Sequence, residues 1–157
     1  MGSRINYTET GKGAMAAMFG LSKYLAKSTI ETKLQHLLEL RVSQINGCAF
    51  CLDMHSKDLR HEGETEQRLY LLNAWRETDL YTDRERAALA WAEAVTLVGE
   101  GDVSNEVFET AKKEFSEQEL IDLTMVVVAI NGWNRLNIAF RTPAGSYQAG
   151  QYAAMTN

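Results

Sequence analysis

The sequence predicts an all-α fold, and three features of the chain carry that prediction. Pro143 is the single proline, so everything before it is free of obligatory helix breaks. No stretch alternates apolar and polar residues with the period of two that a half-buried strand needs. Patterns of the capping-box kind, Ser or Thr followed three residues later by Glu, recur at Ser28-Thr-Ile-Glu31, Thr82-Asp-Arg-Glu85 and Ser116-Glu-Gln-Glu119.

Taken in order, the elements follow from these signals. Residues 13–27 are rich in Ala, Gly and Met and read as a small-residue helix softened at Gly20. The Ser28 box opens a second helix to about residue 44, with Leu34, Leu37, Leu38, Val42 and Ile45 on its apolar stripe. Asn46-Gly47 reads as a turn in which Asn46 caps the next helix, expected over 48–61 and ending at Gly63. Residues 64–76 are expected to be helical, with Leu69, Leu72 and Trp75 on one face. The Thr82 box opens a helix to about residue 98, directing Ala88, Trp91, Ala92 and Val95 inward. A turn at 99–102 and a short helix at 104–114 follow. The Ser116 box starts the longest helix, to about residue 140, with a bend expected at Asn131-Gly132. The expectation is therefore about six to seven helices in one domain over 1–157, with its core in 13–142. The tail 143–157 reads as extended and laid on a surface by Tyr147, Tyr152 and Met155.

Composition narrows the function classes. A chain of 157 residues is long enough to bury a real core, and 45% apolar residues is ordinary for a globular protein. The net charge of −5 and the lack of a Lys/Arg cluster argue against nucleic acid as a partner. At six residues, the 125–130 run is as long as any apolar run in the chain and far too short to span a bilayer. It is apolar all round, which points to burial on several sides and, in a domain of this size, to an oligomer interface. The first residues, Met1-Gly-Ser-Arg-Ile-Asn, have no apolar core of a signal peptide, and two cysteines without an export signal fit a reducing compartment. The cytoplasm is the expected location.

Chemistry concentrates in Cys48-x-x-Cys51-x-x-x-His55, which holds both cysteines and one of three histidines. On a helix opened by Cys48, at about 100° per residue, the three side chains fall within an arc of about 60°. The His55 ring leans back over Cys51. A thiol near a helix N-terminus, beside a second thiol and an imidazole, is a place where a thiolate is stabilised, so the stretch reads as a redox site. Two competing readings stand beside it. The cysteines could be small buried hydrophobes. They could also bind zinc with His55, the fourth ligand coming from His36, His61 or a carboxylate. Elsewhere, Glu85 reads as a capping carboxylate, Glu93 as a solvated residue, His61 as a dipole-favoured helix end, and Trp133 and Asn134 as core.

The segment Leu40-Arg-Val-Ser-Gln-Ile-Asn-Gly-Cys-Ala-Phe-Cys-Leu-Asp-Met-His55 resembles the signature of AhpD-like alkylhydroperoxidases of the carboxymuconolactone decarboxylase superfamily. Residues 80–96 and 131–140 extend the resemblance. It implies an AhpD-like helical bundle and a thiol-dependent peroxidase needing no metal or organic cofactor. Cys51 would be the peroxide-attacking thiolate, Cys48 the resolving thiol and His55 part of a proton relay. It also implies a hydroperoxide substrate, a thiol or dithiol reductant such as a lipoyl protein, and assembly as trimers or hexamers. The chain departs from the family at the relay glutamate twelve residues before the first cysteine, where His36 stands; Glu39 shares its helical face with His36 and Ser43, and either could shuttle the proton. Ala49 and Phe50 replace the family's histidine inside the CxxC. A disulfide reductase or redox sensor using the same cysteines, and a non-catalytic helical module, are the alternatives.

Overall fold

Local capping and burial set the element boundaries in the computed structural model, which describes residues 2–152. Among these residues there are eight α-helices and no strand. They are α1 (Tyr7–Thr10), α2 (Lys12–Leu25), α3 (Thr32–Asn46), α4 (Ala49–His61), α5 (Glu66–Leu71), α6 (Asp83–Thr96), α7 (Asn105–Glu114) and α8 (Glu117–Phe140), with a 3₁₀ segment at Leu72–Glu77. Seven of the eight match the sequence expectation. The four-residue α1 is additional, capped where Asn6 Oδ1 accepts the Glu9 amide at 3.3 Å.

Two of the three expected capping boxes form in both directions, Thr82 with Glu85 and Ser116 with Glu119. The Ser28 box does not. The Thr29 amide and hydroxyl both donate to Asp122 Oδ2, at 3.0 and 2.8 Å, and Tyr24 donates to Asp122 Oδ1 at 2.6 Å. A buried carboxylate on a distant helix makes stronger, charge-assisted bonds than a local cap, so the chain bends through 28–30 and α3 starts only after Glu31. Helix α2 passes through Gly20 without a break. Helix α8 is continuous through Asn131-Gly132; Gly132 instead admits α2, because a Cβ there would lie 3.0 Å from Met18 Cε. The predicted helix over 64–76 divides: α5 tightens into the 3₁₀ segment, with Ala74 off helical geometry. Glu93 is not solvated. It accepts from Arg41 Nε at 2.7 Å, Trp75 Nε1 at 2.9 Å and Arg76 Nη1 at 2.5 Å, and two guanidinium groups make its burial tolerable.

The core lies where α3 and α8 face each other. Leu37, Leu38 and Val42 of α3 are fully buried with Leu123, Val126, Val127 and Ile130 of α8, Leu89 of α6 and Leu59 of α4. Within the 125–130 run only Val128 is strongly exposed, at 48%. The tail lies on α4, as its tyrosines suggest. Gly145 donates to Asp53, Tyr147 to both oxygens of Asp58 at 2.8 and 2.9 Å, and Gly150 to Asp58 at 3.0 Å. Tyr152 stacks near Tyr147, whereas Met155 is outside the described residues. Among the described residues no helix is long and apolar enough to cross a membrane.

Candidate active site

Helix α3 ends and α4 begins within three residues, and that tight junction positions the cysteines. Gly47 takes the left-handed conformation (φ 69°) as C-cap of α3, and the Cys48 amide donates to the Ser43 carbonyl at 3.1 Å. Asn46 was expected to cap α4, but it closes α3, its Nδ2 donating to Asn131 and Asn134 of α8. The N-cap of α4 is Cys48 itself, whose Sγ accepts the Cys51 amide at 3.4 Å. The helix dipole and the open amides of the first turn therefore act on Cys48 as well as Cys51. The two form a disulfide with a Cα–Cα separation of 5.3 Å, and both residues are only 1% exposed.

The relay candidates lie alongside. His55 Nδ1 is 3.3 Å from Glu39 Oε2, in ion-pair range but without hydrogen-bond alignment, and neither ring nitrogen has a hydrogen-bond partner. Burial pushes the Glu39 carboxyl up to about 7, opposed by His36 and helped by Asp58 and Glu62. Burial, with His36 as the lesser cause, pulls His55 down to about 3. Below neutrality the pair thus holds one proton, on Glu39, and His55 is a free base. Glu39 keeps 17% of its side chain exposed against 5% for His55, so the carboxyl is the solvent-side end of the pair. His36 is in the second rank: its ring centroid is 6.1 Å from that of His55, and its Nδ1 is 2.9 Å from Glu62 Oε1. Ser43, fully buried, accepts from Asn134 Nδ2 at 3.0 Å and faces α8 rather than the histidines. The structure therefore pairs Glu39 with His55, which stands four residues after Cys51 on α4, with His36 beside them. Among the described residues no group of three His, Cys, Asp or Glu side chains converges as a metal site.

Sequence reasoning missed Asn137, whose Nδ2 lies 3.5 Å from Cys51 Sγ, and Tyr7, whose hydroxyl donates to Asn137 Oδ1 at 2.9 Å. A signal for Asn137 existed. Asn131, Asn134 and Asn137 are spaced i, i+3, i+6 on an otherwise apolar helix, a polar stripe that needs partners.

Residues 12–94 match the carboxymuconolactone decarboxylase family, a stretch that includes the α3–α4 junction and the cysteine pair. The chain belongs to that family. Within it the chain is AhpD-like. A protein of unknown function from Agrobacterium tumefaciens, described as a candidate antioxidant defence protein AhpD, is 42% identical. Its structure matches with a TM-score of 0.89, over 93% of this chain and 100% of that one. The uncharacterized protein YdfG of Bacillus subtilis (strain 168) is 41% identical over 93% of this chain and 99% of its own length. The debrominase Bmp8 shares the fold, with a TM-score of 0.75 at 24% identity over 87% of this chain and 74% of that one. One helical fold is thus shared by proteins described by different chemistries.

Proposed function

We propose that this AhpD-like protein is a thiol-dependent peroxidase. The observation that carries the reading is the Cys48–Cys51 disulfide at the start of α4, set beside a neutral imidazole and a carboxyl that titrates near neutrality. In the reduced state the Cys51 thiolate attacks the distal oxygen of a hydroperoxide. The O–O bond breaks, Cys51 becomes a sulfenic acid, and the departing alkoxide takes a proton passed from Glu39 through His55 to leave as an alcohol. The Cys48 thiol then displaces water from the sulfenic acid, giving the disulfide. Two equivalents of an external thiol, or one dithiol such as a lipoyl group, reduce it and are themselves oxidised to a disulfide. The direct Glu39–His55 contact favours Glu39 over His36 as the relay carboxyl's replacement, with His36 tuning the pair.

A second reading has its own observation. Cys48 is the N-cap, the position where the first-turn amides favour a thiolate most, and a disulfide reductase would attack through it. Stoichiometric hydroperoxide followed by mass spectrometry separates the two. Peroxidase chemistry requires Cys48→Ser to trap a dimedone-reactive sulfenic acid on Cys51 and Cys51→Ser to consume no peroxide. If wild-type protein reduces a model disulfide readily but leaves hydroperoxide untouched, the reductase reading replaces it.

A further inference from the structure

Asn137 has no place in the relay, yet its amide is the one side-chain donor aimed at Cys51 Sγ among the described residues. Its orientation is determined. Nδ2 also donates to the Trp133 carbonyl at 2.9 Å, so a flipped amide would set two acceptors against each other, while Oδ1 accepts from the Tyr7 hydroxyl at 2.9 Å. The second Nδ2 proton is left for the sulfur, and Asn137 is 6% exposed, so water does not compete for it. Tyr7 is held in turn. The Arg4 amide donates to the Phe140 carbonyl at 2.9 Å, Arg4 Nη1 to the Ala139 carbonyl at 3.0 Å, and the Tyr7 ring lies 5.5 Å from that of Phe140. Burial raises the Tyr7 hydroxyl above its ordinary value, which keeps it a donor at any working pH. Both Tyr7 and Asn137 lie outside the residues that match the family.

We infer that Asn137 is a positioning residue for the redox reaction, donating to the Cys51 thiolate with its amide locked by Tyr7. The inference rests on Cys51 being a reactive thiol, as under the proposed function. A hydrogen bond to a charged sulfur stabilises the thiolate over the thiol, so it lowers the pH at which Cys51 becomes nucleophilic. The same donor favours Cys51 as the leaving sulfur when the disulfide is reduced through attack on Cys48, because the better-stabilised thiolate departs faster.

The test is the pH profile of Cys51 alkylation by iodoacetamide in a Cys48→Ser background, where Cys51 is the only thiol. Asn137→Leu keeps the side chain's size and removes the donor; Tyr7→Phe leaves the donor but frees its orientation. The expected result is an upward shift of the alkylation midpoint by about one pH unit for Asn137→Leu, about a tenfold slower reaction below the midpoint. Tyr7→Phe should move it the same way by less. Circular dichroism and the plateau rate at high pH report folding and access separately. Loosened packing alone changes the plateau and leaves the midpoint in place, and that outcome overturns the inference. If Asn137→Leu does not fold, an unmoved midpoint in Tyr7→Phe overturns it equally. Peroxide plays no part in the measurement, so failure here is distinct from failure of the peroxidase reading.

Discussion

Glu39 and His55 are both shifted by burial in the direction that favours their neutral forms, and their linkage to pH has opposite signs. Glu39 keeps its proton in the folded chain up to about pH 7, whereas the unfolded chain loses it near 4.5. Its contribution to stability is therefore full below 4.5 and lost as pH rises through 7. His55 stays neutral when folded down to about 3 but gains a proton when unfolded near 6.5. Its contribution is present above 6.5 and lost as pH falls toward 3. Between 4.5 and 6.5 each state carries one proton on the pair, and the two slopes cancel. Glu39→Gln removes only the first slope. Measured by denaturant titration, the variant should gain on wild type between pH 4.5 and 7.5, by up to about 3 kcal/mol. A difference independent of pH would mean that Glu39 is not desolvated as described. The same substitution should slow peroxide consumption roughly 10- to 100-fold, within the general acid–base range. Wild type should also lose rate above pH 7 as Glu39 ionises, and Glu39→Gln should lack that falling limb.

At the scale of the elements, the α3–α4 junction decides whether the site exists. Gly47 at φ 69° lets α3 stop and Cys48 become the cap of α4 with no intervening loop. A Cβ on Gly47 would meet nothing within 4 Å, so the cost of Gly47→Ala is conformational alone, about 1 kcal/mol. The expected outcome is a modest loss of thermal stability with a larger change in the rate at which the disulfide re-forms after reduction. A stable variant with an unchanged rate would show that the junction tolerates another backbone path. Much of this was legible in the sequence. Periodicity and the Thr82 and Ser116 boxes, whose partners are three residues apart, located seven helices, and the Asn-Gly dipeptide located the junction. The resemblance supplied the roles proposed for the cysteines. What was not legible depends on partners far along the chain. Asp122 took Thr29 away from its box across a separation of 93 residues, and Arg41 with Arg76 drew Glu93 into the interior. Tyr7 reaches Asn137 across 130 residues, beyond any local pattern.

Over the whole molecule, α6 and α8 run side by side, tied by Trp91 to Thr124 at 3.0 Å and Asn131 to Thr96 at 3.1 Å. Helix α8, with Val98 in the turn just after α6, carries an apolar outer face. Val98 and Ile121 are each 57% exposed and Val128 is 48% exposed, and Met125 between them is only partly covered. On α8 these positions, 121, 125 and 128, are four and three apart and so form one stripe. A hydrophobic stripe left open by the fold of one chain is best covered by a second copy, and the expected trimer or hexamer would supply it. We therefore propose that this face joins copies of the chain. Light scattering should give a mass that is a multiple of 17.6 kDa. Val128→Glu, which sets a charge at an exposed position of the stripe, should shift the protein toward the single-chain mass while leaving its helical signal intact. The cysteine pair lies on the α4 side of α8, away from this stripe, so the monomeric variant should still form the Cys48–Cys51 disulfide. A wild-type protein that scatters as one chain at micromolar concentration would remove the face from the assembly and leave its exposure unexplained.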